Sequence, residues 1–199
     1  MSTSDRPSSK ERLLDAGARL MASKGFSGAS VREICDAAGT SSNMIHHFFG
    51  SKAGLYEAIL ERFSADVFAT PLRVIAGDPD SQEEFASRLT VFAEETLEAL
   101  IEHRHTFQIV IRDQVHLEVF AGYGQNLVRY LESAKARGFV RPEVDSGMLT
   151  GLLMDRLGNQ VRFAEWIKRE HDVDVVGDTA YRNRWIRANL DVLLNGMLM

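Results

Sequence analysis

A run of side chains that can contact the edges of DNA bases lies in the first quarter of this 199-residue chain. It comprises Ser41, Ser42, Asn43, Met44 and the adjacent pair His46 and His47. An asparagine amide can bond bidentately to adenine, an imidazole can donate to guanine or to phosphate, and a methionine can pack on a thymine methyl group. Metal ligation by the histidine pair is disfavoured, because neighbours on a helix point about a hundred degrees apart. These residue types indicate contact with nucleic acid.

Two short helices are predicted to position these side chains. A capping box of Ser30 and Glu33 starts the first helix, and Gly39 ends it where a left-handed residue costs least. Ser41 or Ser42 can then cap the second helix. The apolar face of the first helix contains Val31, Ile34, Cys35 and Ala38. The apolar face of the second helix contains Ile45, Phe48 and Phe49. This order predicts a helix-turn-helix, whose second helix enters the DNA major groove.

Three further side chains are expected to contact the sugar-phosphate backbone. Ser30 and Arg32 lie at the start of the first motif helix, and Lys52 lies at the start of the helix that follows the motif. A lysine in the first turn opposes the helix dipole, and a docked phosphate would reverse the sign of that effect. Lys52 is therefore the clearest candidate for a phosphate contact.

The run from Ser8 to about Phe63 contains four dipeptides at characteristic positions: Gly25-Phe26, Ala38-Gly39, Phe48-Phe49 and Ser51-Lys52. In order and spacing this run resembles the DNA-binding domain of the tetracycline-repressor (TetR) family of bacterial regulators. The chain differs from the family pattern at His46 and His47, where the family more often has tyrosine, and at Ser42. These positions belong to the expected DNA-facing side, so they bear on the operator sequence and not on the fold.

The resemblance implies an all-α protein with an N-terminal three-helix DNA-binding domain, residues 8–54, and a C-terminal helical ligand-binding and dimerisation domain, residues 55–199. The residues agree, because no segment shows sustained strand alternation and turn residues divide the chain into about nine helices. The implied function is that of a ligand-responsive transcriptional regulator, a repressor. It would bind a palindromic operator in double-stranded DNA as a homodimer and be released by a small-molecule effector.

The net charge of −5 is unevenly distributed. Residues 1–62 contain 8 basic and 7 acidic side chains, whereas the remainder contains 15 basic and 21 acidic ones. The weak positive excess near the motif means that affinity for DNA depends on a few well-placed cations in two symmetry-related copies. We expect a monomer to bind poorly.

Composition also limits where in the cell the protein can act and which cofactors or disulfides it can contain. Hydrophobic residues make up 45% of the chain, enough for a core, yet no apolar run is long enough to span a bilayer. The first seven residues lack the apolar segment of a signal peptide, so we expect a cytoplasmic protein without membrane contact. The single cysteine, Cys35, cannot form an internal disulfide and falls on a buried stripe. We expect no cofactor and no bound metal.

The last two helices have the pattern of an oligomer interface. The final helix carries two apolar stripes, so one face can serve the protomer core while the other contacts a partner. Glycines in the preceding long helix would allow close approach of a neighbouring helix. The predicted dimer interface consists of Leu149, Leu153, Trp185, Asn189, Val192 and Leu193.

An effector pocket is expected between the helices of the C-terminal domain, since helical bundles bind ligands there. Large apolar residues would form its walls and a few polar groups would orient the ligand. The candidates are Phe92, His103, Phe107, Ile111, Tyr123, Met154 and Phe163. Their character favours an apolar or amphipathic small molecule.

Two other classes of function remain open from the residues alone. Glu102-x-x-His105 and Asp113-x-x-His116 imitate the ligand pattern of di-iron helical bundles, with Glu98 as a further carboxylate, but the two pairs lie only eleven residues apart. A zinc deaminase site would need a Cys-x-x-Cys motif, which one cysteine cannot supply. The other alternative is an interaction module that uses the helix-turn-helix only for packing. Neutral substitutions at Asn43 and Lys52 would favour it.

Overall fold

In the computed structural model, which describes residues 7–198, the regular structure is helical. The helices are α1 Ser9–Gly28, α2 Val31–Ala38, α3 Asn43–Phe49, α4 Lys52–Asp66, α5 Ala69–Val74, α6 Gln82–Glu102, α7 Arg104–Asp113, α8 Glu118–Ala136, α9 Ser146–Arg162, α10 Ala164–His171 and α11 Thr179–Met197. Within this range, β-pairing is confined to an isolated bridge between Val140 and Leu198. The all-α prediction is confirmed. The polar start of the chain, used above to predict the absence of a signal peptide, lies outside the described residues.

The chain forms two compact units. The first comprises the chain up to Ala65 together with His105–Leu117, and the second comprises Asp66–Arg104 together with the chain from Glu118 onward. The first unit therefore contains α1 to α3, nearly all of α4, and almost all of α7. The sequence boundary after residue 54 falls within α4, and no sequence signal places α7 with the N-terminal helices.

Local signals at the ends of α1 and α2 match the sequence analysis. At α1, Ser8 Oγ accepts from the Glu11 amide at 3.2 Å, and the Ser8 amide donates to the Glu11 carboxylate at 2.6 Å. Ser30 and Glu33 make the same reciprocal pair at α2, with distances of 3.2 and 3.0 Å. Gly39 ends α2 in the left-handed conformation, with φ 61° and ψ 42°. The capping boxes therefore set the first residues of both helices, and the box at α2 is the one predicted from the sequence.

The first unit is held together by apolar side chains from α1 to α4. Gly17 in α1 permits a close approach of α4, since a Cβ atom there would lie 3.0 Å from Ile59 Cδ1 and 3.1 Å from Leu55 Cδ2. The large, fully buried side chains of this unit include Leu13, Met21, Ile34, Ile45, Leu55 and Ile59. Burial of this apolar area is the main favourable term for a unit of this size.

In the second unit, Arg182 fixes the segment between α10 and α11. Its side chain is 5% exposed, and its Nη2 and Nε atoms lie 2.6 and 2.8 Å from a Glu98 carboxylate oxygen of α6. Its Nη1 atom donates to the carbonyl groups of Val175 and Val176, at 2.9 Å each. A buried guanidinium is tolerated here because a charge and several acceptors surround it.

Glycine and proline are expected to interrupt helices, and the structure differs from that expectation in two places. Gly122 and Gly124 lie inside α8, and the chain instead leaves the helix at Gln114 and His116, with φ of 54° and 53°. A glycine inside a helix costs only about 1 kcal/mol relative to alanine. Burial of Tyr123, which is 2% exposed, offsets a cost of that size.

The second difference concerns Pro71. The helix that starts at Lys52 ends at Asp66, and Pro71 is the third residue of the new helix α5. Amides in the first turn have no acceptor within their own helix, so proline is tolerated there. The helix is interrupted, but the interruption lies between Asp66 and Ala69, before the proline.

We predict that Gly54→Ala lowers the free energy of unfolding by about 2 kcal/mol or more, because the added group cannot be accommodated without backbone movement. A Cβ atom at Gly54 would lie 2.0 Å from the Phe49 carbonyl oxygen at the end of α3. Denaturant unfolding of the full chain, followed by far-UV circular dichroism, measures the change.

Gly122→Ala is the matched control, since nothing lies within 4 Å of the added atom and the residue is inside α8. This variant should be unchanged or more stable by up to about 1 kcal/mol. Equal stability of the two variants would contradict the close approach of α4 to α3.

Candidate nucleic-acid interface

Helix α3 is anchored by one side chain and exposes its polar ones. Ile45 is 1% exposed and enters the core of the first unit. Ser42, Asn43, His46 and His47 are exposed, while Met44 is half-buried. The structure thus brings these predicted base-contacting residues together on the solvent side of one short helix. Ser41, also exposed, precedes them in the turn.

The start of α3 differs from the expected cap. Ser42 occupies the N-cap position, but its backbone is helical and its side chain makes no capping hydrogen bond. The turn is closed instead by the Met44 amide, which donates to the Ser41 carbonyl at 3.0 Å. The Ser42 hydroxyl therefore does not cap α3. A contact between this hydroxyl and DNA would not have to break a capping hydrogen bond.

The predicted backbone contacts on α2 have different surroundings. Ser30 Oγ donates to the Glu33 carboxylate at 2.8 Å, in addition to accepting from the Glu33 amide. Lys24 donates to the same carboxylate at 2.6 Å, and these bonds lower the pKa of Glu33 to about 2. The Arg32 side chain is 91% exposed and has only a long contact, 3.8 Å, with Asp36. Arg32 is thus available to a phosphate, whereas Lys24 already has an anionic partner.

Lys52 has a role that the sequence analysis missed. Its ammonium group donates to the carbonyls of Phe26 and Ala29, at 2.8 and 3.1 Å. The same nitrogen lies 4.4 Å from the centroid of the Phe26 ring, a cation–π contact. Two of the three ammonium protons are therefore used to tie the end of α1 to the start of α4, and one remains for a phosphate oxygen.

Phe48 is more exposed than its pattern suggested. It was predicted on the buried face of α3, but 37% of the residue is exposed. Its ring packs edge-to-face with His47 at 4.8 Å and with Phe49 at 6.1 Å. A seven-residue helix with Ile45 at its buried centre cannot bury every apolar residue on that side. The ring lies beside His47 and would be close to any DNA that this histidine contacts.

A polar network joins α7 to the helices of the first unit. Arg112 Nη1 donates to the carbonyls of Met21 and Ala22, at 3.1 and 2.9 Å. Asp113 accepts from Arg112 at 2.6 Å and from the Tyr56 hydroxyl of α4 at 2.9 Å. Arg112 lowers the pKa of Asp113, whereas burial and the bond to Asp113 raise the pKa of Tyr56 to about 12. Helix α7 is thereby bonded to both α1 and α4.

The seven predicted effector contacts are distributed over both units. Phe92 and Tyr123 stack in the second unit with ring centroids 5.2 Å apart, and Tyr123 also stacks on Phe68 at 3.8 Å. All three rings are buried. Phe107 and Ile111 belong to α7 in the first unit. The remaining three, which lie on the second unit, are His103 and Met154, both half-buried, and Phe163, 44% exposed.

The predicted dimer residues divide between core and surface. Leu153 is buried within the protomer, Leu149 and Leu193 are half-buried, and all three line an apolar cavity of about 10 Å³. Trp185 and Asn189 are half-buried, and Asn189 donates to the Trp185 carbonyl and accepts from Arg156 of α9. Val192 is 70% exposed. Two apolar residues of α9 that were not selected, Met148 and Leu152, are also exposed, at 77% and 43%.

The residues of the metalloenzyme hypothesis have other partners. Glu98 pairs with Arg182, and Asp113 pairs with Arg112 and Tyr56. Between residues 7 and 198, the structure contains no group of three or more His, Cys, Asp and Glu side chains that could hold a metal ion. Nor does any helix in that range combine the length and apolar content of a membrane span.

Comparison with known proteins connects this geometry to a family. Residues 13–59 match the family described as bacterial regulatory proteins, tetR family. The HTH-type transcriptional repressor KstR2 of Rhodococcus jostii is 27% identical over 172 residues, which cover 81% of this chain and 82% of the relative. The HTH-type transcriptional repressor NicS of Pseudomonas putida is 28% identical over 148 residues, 73% and 66% of the respective chains.

Solved structures share the fold over nearly the whole chain. The ketosteroid transcriptional regulator KstR2 of Mycobacterium tuberculosis matches with a TM-score of 0.75 and 20% identity, covering 98% of this chain and 97% of that one. The TetR family transcriptional regulator PfmR of Thermus thermophilus matches with a TM-score of 0.71 and 19% identity, covering 95% and 97%. The matched region contains the helix-turn-helix α2–α3 and its bracing helices. Residues 13–59 therefore match the DNA-binding domain of the tetR family of bacterial regulatory proteins, and the chain shares its fold with solved regulators.

Proposed function

We propose that this protein is a transcriptional repressor that binds a palindromic operator as a homodimer and responds to a small-molecule effector. The observation that carries the proposal is the α2–α3 motif, in which Ile45 is buried while Asn43, His46 and His47 face solvent. Repressor relatives of similar length support the regulatory role. Such a repressor acts in the cytoplasm, where its operator DNA is located.

In this proposal the exposed end of α3 reads base edges. Asn43 bonds to adenine, Met44 packs on a thymine methyl group, and His46 and His47 donate to guanine or to phosphate. Ser41 and Ser42 contribute hydroxyl groups at the same end of the helix. Ser30, Arg32 and Lys52 contact the sugar-phosphate backbone and set the register of α3 in the groove.

Several cations of the DNA-binding unit are already paired within it, which favours binding as a dimer. Lys24 is paired with Glu33, and Arg62 is paired with Asp15 at 2.7 Å. Arg12 donates to the Ala38 carbonyl at 2.9 Å, at the end of α2. Each phosphate that is neutralised releases counterions, so few free cations give one copy a weak affinity. Two copies on successive major grooves, about 34 Å apart, double the number of contacts.

A second copy is the proposed partner of the exposed apolar side chains on α9 and α11. Met148, Leu152 and Val192 lie on two helices that are bonded to each other through Arg156 and Asn189. An isologous contact would cover each of these side chains in both copies, and one two-fold axis would relate the two reading helices. Charged residues are depleted at the core of such contacts, which fits these three apolar positions.

The effector response is proposed to act through α7. This helix is bonded to α1 by Arg112 and to α4 by Asp113 and Tyr56, all within the DNA-binding unit. The chain enters it from α6 and leaves it to α8, both of which belong to the second unit. A ligand that shifts α6 or α8 would therefore displace α1 and α4. The ligand releases the protein from DNA if it binds more tightly to the arrangement of the reading helices that does not fit the operator.

Lys52→Met tests both roles of this lysine. We expect the free energy of unfolding without DNA to fall by about 1–2 kcal/mol, because two carbonyl groups lose a charged donor. DNA affinity should fall for every sequence, and the salt dependence of log K should decrease by about one. Lys10→Met, at an exposed position in the first turn of α1, is the stability control and should change unfolding by less than about 0.5 kcal/mol. Unchanged stability of Lys52→Met would contradict its tie to α1.

Asn43→Ala tests base recognition. Fluorescence anisotropy of labelled DNA from immediately upstream of the gene should show tight, salt-sensitive binding, with scrambled DNA bound more weakly. In an operator library, the variant should lose about 1–3 kcal/mol of discrimination at one base pair per half-site. Gln125→Ala, which removes an exposed amide on α8, should keep the wild-type preference. An equal loss for Asn43→Ala at every base pair would exclude the base-reading role.

Val192→Glu tests the proposed dimer. Two glutamates would face each other near the two-fold axis, and an unpaired charge in an apolar contact costs several kcal/mol. Light scattering after size-exclusion chromatography should show a shift from dimer to monomer, together with weaker operator binding. Val91→Glu is the control, because Val91 is also an exposed valine, on α6. A dimer that persists in Val192→Glu and dissociates in Val91→Glu would place the interface elsewhere.

A further inference from the structure

A cleft of about 390 Å³ lies in the second unit between α5, the turn that follows it, and α8. Its volume falls within the range of about 300 to 1,000 Å³ that is typical of small-molecule sites. None of the residues proposed above for effector binding lines it. The lining combines apolar and polar groups, chiefly Leu72, Ile75, Asp78, Asn126, Arg129 and Tyr130.

The walls of the cleft are held in place by Arg88 of α6. Its Nε atom donates to the Val74 carbonyl at 2.8 Å, and its Nη2 atom donates to the Ala76 carbonyl at 2.5 Å. The same guanidinium packs over the Tyr130 ring, 5.1 Å from its centroid. The turn after α5 and the aromatic wall are thus fixed by one side chain, so a ligand would meet a preformed surface.

Among the charged side chains that line the cleft, Arg129 is the cation that can bind a ligand. Asp78 is already satisfied, because it accepts from the Ser133 hydroxyl at 2.6 Å and lies 3.6 Å from Arg137. Arg129 donates to the Asn126 amide oxygen, and within the described part of the chain it has no carboxylate partner. A guanidinium oriented by a neutral amide is well suited to bind a carboxylate bidentately.

Tyr130 is a buried part of the cleft wall. The residue is 3% exposed, and its hydroxyl oxygen is buried without a hydrogen-bond partner among the described residues. Its ring is covered by Arg88 and by Phe85, which stacks on it at 5.5 Å. The apolar surface for a hydrocarbon body therefore comes from Leu72 and Ile75.

We propose that this cleft binds small amphipathic carboxylates, with the carboxylate on Arg129 and an aromatic or branched aliphatic body against Leu72 and Ile75. Asn126 holds the guanidinium in position. The proposal concerns binding at this cleft and does not depend on whether the protein binds DNA.

Isothermal titration of the full chain with 2-naphthoate tests the proposal, with the neutral 2-naphthamide as the matched probe. We expect saturable binding of 2-naphthoate and at least tenfold weaker binding of the amide, about 1.4 kcal/mol of lost affinity. Arg129→Met should weaken the binding of 2-naphthoate by at least about tenfold and leave the binding of 2-naphthamide unaffected. Arg73→Met, an exposed arginine of α5 that does not line the cleft, should bind as wild type.

Two further variants separate binding at the cleft from binding elsewhere. Leu72→Trp fills the cleft and should abolish 2-naphthoate binding, while circular dichroism shows an intact fold. Tyr130→Phe should leave binding unchanged and the melting temperature unchanged or raised, because the hydroxyl that it removes is buried and has no partner. The proposal is overturned if 2-naphthoate does not bind at low millimolar concentration, or if it binds equally to wild type, Arg129→Met and Leu72→Trp.

Discussion

The short length of α3 is the constraint on which the DNA-facing surface depends. A helix of seven residues is not stable alone in water, so its position must come from contacts with its neighbours. Burial of Ile45 anchors one side, and the left-handed turn at Gly39 fixes the approach from α2. At the other end, α4 passes so close to the Phe49 carbonyl that Gly54 leaves no room for a side chain. The polar residues of α3 are oriented only because these three contacts are satisfied together.

Several cations of this protein act inside it, on carbonyl groups at the ends of helices. Lys52 binds a carbonyl at the end of α1, and Arg112 binds two in the turn before Gly25, whose φ of 75° interrupts that helix. Arg12 binds one at the end of α2, and Arg88 binds those at the end of α5. The last four carbonyls of a helix have no intrahelical donor, and a positive charge also interacts favourably with the helix dipole there. This use of cations reduces the charge that remains for phosphate. The proposed assembly of two copies would compensate by doubling the number of phosphate contacts.

Much of the local structure was predictable because its causes are local. Ser30 with Glu33 and Gly39 define α2 through interactions that span three or four residues, and both were recognised in the sequence. The polar face of α3 followed from helical periodicity for the same reason. The pattern did not predict that Phe48 would be 37% exposed, since exposure depends on how much of a short helix its neighbours cover.

By itself, the sequence determined the helical class, the capped helix α2 and the residues that could read DNA, because periodicity, capping and turn chemistry operate within a few positions. The tertiary structure alone decided what depends on residues distant in the chain. It gave Lys52 two carbonyl partners 23 and 26 positions away, placed α7 against α1 and α4, and directed Leu153 into the core while leaving Val192 exposed. Periodicity marks a side chain as apolar or charged, but packing in three dimensions decides which neighbour it meets.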